Sequence, residues 1–111
     1  MSETAIVAGP DPDGLGDALA SEGFSITRIE DVVSSSTLEA AGIDDAAMVI
    51  LTDVGEASGI PVAKELNPDV RVVVYSEQSL PEVATRQTDL AVDPALLDVS
   101  VVAEELAAES S

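Results

Sequence analysis

Four aspartates, Asp11, Asp13, Asp53 and Asp93, stand at points of this 111-residue chain where acidic side chains could converge on a hard cation. Carboxylate oxygens are what Mg²⁺ prefers, so a metal site built from these four is one chemistry the residue types allow. Composition closes off most others. There is no histidine and no cysteine, which removes the usual general base, the usual zinc ligand, the thiol nucleophile and any disulfide. No G-x-S-x-G elbow is present to support nucleophilic hydrolysis. A carboxylate pair of the glycosidase kind is permitted by residue type, but no spacing recommends one.

Whether these acids can meet depends on the elements between them. Thr4–Ala8 is a short apolar run that reads as a buried strand. It leads into Gly9-Pro10-Asp11-Pro12-Asp13-Gly14, a loop whose two prolines forbid helix until it ends. Leu15–Glu22 carries Leu15, Ala18 and Leu19 on one helical face, with Asp13 as the expected N-cap and Gly23 as the stop. Phe24–Ile29 alternates, with Phe24, Ile26 and Arg28 on one side and Ser25, Thr27 and Ile29 on the other. Such alternation, with an arginine in it, predicts an edge strand.

Asp31–Thr37 is polar and serine-rich and reads as a connection with a remnant of strand at Val32-Val33. A short helix is expected over Thr37–Ala41, closed by Gly42. Ala46–Leu51 and Val70–Tyr75 are continuous apolar runs bounded by polar turns, the pattern of strands covered on both faces, with the strand of the first run expected over Met48–Leu51. Between them, Thr52–Gly59 is a loop and Pro61 suits the first turn of a helix ending at Leu66, before Asn67-Pro68. A weak helix is expected over Pro81–Gln87, a brief strand over Leu90–Val92 and a turn at Pro94. Val99, Val102 and Leu106 mark a closing helix, and Glu109–Ser111 a frayed tail.

Five strands alternating with helices predict an α/β domain, a three-layer Rossmann-like parallel sheet with helices on both faces. The three continuous runs belong at the centre and the second and fifth strands at the edges, which gives the flavodoxin-like order 2-1-3-4-5. The chain is expected to be one domain over 1–111, with its core at about 4–108. A ligand would sit beyond the carboxyl ends of the strands, at the switch point between the first and third. Gly9–Gly14, Thr52, Asp53, Ser76, Glu77 and Asp93 are the residues expected there.

Charge narrows the partners. Twenty-two acidic residues stand against four basic ones, a formal charge of −18, yet 46% of residues are hydrophobic. That much apolar content predicts folding, with the acids on the outside. Lys64 is the single lysine, and Ala and Val fill the apolar positions. The composition is that expected of a cytoplasmic protein of an extreme halophile, whose acid coat keeps it soluble where salt screens self-repulsion. Four cations cannot build a phosphate-neutralising patch, so nucleic acid is excluded, and anionic membrane surfaces with it. No apolar run approaches the ~20 residues of a membrane span, and Met1-Ser2-Glu3 is no signal peptide.

Leu38-Glu39-Ala40-Ala41-Gly42-Ile43-Asp44-Asp45-Ala46 and Ala63-Lys64-Glu65-Leu66-Asn67-Pro68-Asp69-Val70-Arg71-Val72 resemble segments of the TrkA-N, or RCK N-terminal, domain of the Trk/Ktn potassium-uptake regulators. The resemblance implies a short, divergent haloarchaeal-type member of that family. It implies a non-catalytic module that binds NAD(H) or another adenine nucleotide, forms a homodimer and signals to a membrane channel or transporter, the particular partner protein not being identified by the sequence. On that reading the cofactor-binding residues are Gly9, Asp11, Gly14, Glu30, Thr52 and Asp53. The family's phosphate loop, G-x-G-x-x-G, becomes Gly9–Gly14 with Asp11 at the middle glycine. A carboxylate ~4 Å from a phosphate is repelled by about 4 kcal/mol at an effective dielectric near 20, so the loop reads as degraded. Glu30, 21 residues after Gly9, stands where an acid would hold the ribose hydroxyls.

The same layout also resembles a response-regulator receiver domain. There, acids at the end of strand one and an aspartate after strand three bind magnesium and accept a phosphoryl group, aided by a Ser/Thr after strand four and a Lys after strand five. This chain supplies Asp11 and Asp13, then Asp53, then Ser76, but Ala91-Val92-Asp93-Pro94 puts an acid in the lysine's place. A degenerate receiver-like domain, a metal-binding domain using the acidic crevice, or a subunit of an enzyme are thus the alternatives to the nucleotide sensor.

Overall fold

A computed structural model describes residues 3–9, 14–29, 33–52, 59–75, 90–92 and 97–110. The strands are β1 (Thr4–Ala8), β2 (Ser25–Ile29), β3 (Ala46–Leu51), β4 (Arg71–Tyr75) and β5 (Leu90–Val92). All neighbours pair in parallel, in the order β2-β1-β3-β4-β5. The expected architecture is therefore the observed one, with the alternating β2 and the short β5 at the edges. The described helices are α1 (Leu15–Ser21), α2 (Ser35–Ala40), α3 (Gly59–Leu66) and α4 (Val99–Ser110), with one 3-10 turn at Ile43–Asp45.

Two half-cores form because successive residues of a strand point to opposite sides of the sheet. On one side Ile6, Ala8, Val49, Leu51, Val72 and Val74 pack with Leu38 of α2 and with Ile60 and Ala63 of α3. On the other, Ala5, Val7, Met48, Ile50, Val73 and Tyr75 pack with Leu15 and Leu19 of α1 and with Val102, Ala103 and Leu106 of α4. β2 follows the same alternation, with Phe24 and Ile26 on the α1/α4 side and Ile29 on the α2/α3 side. Each large aliphatic side chain fully enclosed in this way contributes roughly 1.5–3 kcal/mol of transfer free energy. No polar or charged side chain among the described residues is buried.

β3 holds one irregularity. Thr4 faces Ala46 but Ala5 faces Met48, which leaves Ala47 as an extra residue. This bulge lets Ala46 and Met48 face opposite half-cores although they are two residues apart. Two adjacent alanines carry no alternation that would have marked it in the sequence.

Several expected boundaries are corrected. The N-cap of α1 is Gly14, not Asp13, and no side chain caps that end. Asp13 itself lies outside the described residues, as do the expected helix at Pro81–Gln87 and the turn at Pro94. α2 begins two residues before the expected Thr37 because Ser34 caps it. The Ser34 side chain accepts from the Thr37 N–H at 3.3 Å, and Thr37 Oγ1 accepts from the Ser34 N–H at 2.8 Å. This reciprocal capping box turns Ser35 and Ser36 into the first turn of a helix, where a polar connection was expected. α4 extends through Glu109 and Ser110, so the frayed tail is shorter than expected.

Candidate functional site

The carboxyl edge of the sheet is where the fold would present a ligand, and three of the expected site residues are described there: Gly9, Gly14 and Thr52. β1 and β3 separate the two directions of strand order at this point. The Thr52 N–H donates to the Ala8 carbonyl at 3.1 Å, and the Thr52 hydroxyl donates to the same oxygen at 3.2 Å. Gly9 N–H donates to the Ile29 carbonyl at 3.3 Å. The ladder thus continues one residue past β1, and Thr52 is fastened to it by both of its donors.

Gly9 has φ 99° and Gly14 φ 75°, conformations that suit glycine. The two residues bend the chain out of β1 and back into α1. Gly14 O accepts from the Ala18 N–H at 3.0 Å, the first hydrogen bond of the helix. Gly9 and Gly14 thus stand at the two ends of the segment between β1 and α1. Asp17, in the first turn of α1, reaches Arg28 of β2 at 3.5 Å. With the Asp17 side chain 89% and the Arg28 side chain 40% exposed, this pair adds little stability.

The remaining expected site residues, Asp11, Asp13, Glu30, Asp53, Ser76, Glu77 and Asp93, lie outside the described residues. Among the described residues no group of three acids could hold a metal ion. What can be read directly is the chain at each strand end. β1 ends in Ala8, wholly buried, and is followed by Gly9, so its last position offers no carboxylate. β3 ends at Leu51, two residues before Asp53. β5 ends at Val92, paired to Tyr75, and Asp93 is the next residue.

The opposite edge of the sheet is better furnished, and sequence reasoning missed it. Asn67 Nδ2 donates to the Ile43 carbonyl at 2.8 Å and to the Ala46 carbonyl at 3.2 Å. Its Oδ1 accepts from the Asp69 N–H at 3.1 Å, and its own carbonyl accepts from the Val70 N–H at 3.0 Å. Lys64 Nζ donates to the Val70 carbonyl at 2.7 Å. Asn67 thereby locks the α3–β4 turn to the turn that enters β3, and Lys64 ties α3 to the start of β4. The signal was the Asn-Pro-Asp run, whose turn chemistry predicts such self-bonding.

Residues 5–106 match the Family of unknown function (DUF7126). The chain belongs to that family. None of the curated proteins matches the sequence of this DUF7126 member. Solved structures match it along nearly its whole length. An orphan response regulator of H. pylori is similar with a TM-score of 0.77 at 17% identity, covering 99% of this chain and 98% of that one. An atypical orphan response regulator, described as revealing a phosphorylation-independent regulatory mechanism, is similar at a TM-score of 0.74 and 17% identity, covering 96% and 94%. A response regulator from Thermotoga maritima is similar at 0.72 and 15% identity, covering 96% and 95%. At these identities the likeness is one of fold.

These findings overturn the resemblance to the TrkA-N domain: the matching family is DUF7126, and the similar folds include several response regulators. The structure gives the physical reason. Both segments that carried the resemblance meet at the amino edge of the sheet, where Gly42–Ala46 enters β3 and Asn67–Val70 enters β4. Leu38, Ile43, Ala46, Ala63, Val70 and Val72 in them are buried core, and Asn67 and Lys64 close the turn. They specify packing at the amino edge of the sheet.

Proposed function

We propose that this DUF7126 protein is a receiver-like regulatory module that works without accepting a phosphoryl group, through contact with a partner protein. The observation that carries the reading is the end of β5. That strand stops at Val92, and the residue that follows is Asp93, where a receiver that transfers phosphate carries a lysine. A carboxylate there repels the charge that the lysine would neutralise. Support comes from β1, which ends in Ala8 and is followed by Gly9, while Asp11 and Asp13 each follow a proline. Asp53 and Ser76 keep the residue types of the other two positions, so the constellation is incomplete at two of its corners.

The test is incubation of the whole chain with acetyl phosphate and Mg²⁺, read by intact-mass spectrometry, beside Asp53→Asn. The expected result is no phosphoryl adduct on either protein. An adduct on the natural chain that disappears in Asp53→Asn overturns the proposal. Titration with Mg²⁺ alone, followed by thermal melting, separates the two halves of the receiver chemistry. A cation held by Asp11, Asp13, Asp53 and Asp93 raises the melting temperature, by the linkage that stabilises any folded state that binds a ligand.

A further inference from the structure

We draw no further inference here: the strongest candidate, the exposed apolar pair Leu97 and Val101 beside the start of α4, carries nothing because nothing in the structure shows what covers it.

Discussion

Gly59, in the first turn of α3, packs its α carbon directly against Val33. A Cβ built on Gly59 would collide with Val33 Cγ1 and lie 3.1 Å from Val33 Cβ. Val33 is itself buried, 7% exposed, in the half-core that Ile60 and Ala63 help to fill. The contact sets how closely α3 approaches the segment that leads into α2.

Gly59→Ala should therefore destabilise the fold although alanine is the better helix former by about 1 kcal/mol. Overpacking of a filled core costs about 1–3 kcal/mol, and a β-branched neighbour cannot swing aside as a long side chain would. Denaturant unfolding at fixed salt measures the balance. The double variant Gly59→Ala with Val33→Ala should recover part of the loss, because the two sites share the contact. A stabilised Gly59→Ala protein would show that the packing is looser than described.

Asn67→Ala should cost about 1–3 kcal/mol, because it removes a side chain bonded to the Ile43 and Ala46 carbonyls and to the Asp69 N–H. Asn67→Asp should cost more than Asn67→Ala. It would keep the acceptor for Asp69 but turn a donor into a carboxylate facing two carbonyl oxygens. Comparing the two unfolding midpoints decides the point, and equal midpoints would mean that the amide donor contributes nothing.

Ser34→Ala should lower stability by about 1 kcal/mol through loss of the α2 capping box. Ser34→Asp, which retains an acceptor at the cap, should lie closer to the natural chain. The readout is again the unfolding midpoint, and Ser34→Asp falling below Ser34→Ala would contradict the capping role.

Salt should stabilise this protein strongly. A formal charge of −18 on 111 residues makes the compact state repel itself. The screening length falls from about 10 Å at 0.1 M salt to about 3 Å at 1 M. The melting temperature should rise through this range in KCl by more than in an equivalent series of an uncharged osmolyte matched for water activity, which stabilises only by its exclusion from the protein surface. A flat KCl curve would mean that the acids are spaced widely enough to be unstrained even in dilute buffer.

The fold was legible where burial leaves a continuous apolar trace. Thr4–Ala8 and β4 were read to the residue or within one because both faces of those central strands are covered. β3, by contrast, begins two residues before the expected Met48, ahead of its bulge. Leu90–Val92 was read to the residue although it is an edge strand with Ala91 exposed. The edge position of β2 followed from Arg28 and the alternation around it. Helix starts were misread for a local reason. Serine serves equally as connection and as cap, so Ser34–Ser36 gave no sign of which role would win until Thr37 closed the box. At α1, an aspartate with good capping chemistry stood next to a glycine, and backbone geometry favoured Gly14.

The site was the less legible part. The longest stretches of recognisable sequence, Leu38–Ala46 and Ala63–Val72, build the amino edge of the sheet, and a ligand crevice would open at the other. Packing rules constrain many residues at once, whereas a ligand is met by a few side chains on loops. A resemblance carried by turn and core residues therefore identifies a way of folding and leaves the ligand open.

Tyr75 is the only tyrosine and the chain has no tryptophan. It is 4% exposed, and its ring lies in the α1/α4 half-core. The molecule thus carries a single intrinsic optical reporter on one side of its sheet, while circular dichroism collects signal from helices on both. Coincident curves from the two probes would mean that the layers melt together; a separation would resolve the loosening of α2 and α3 as an event of its own, with no label added.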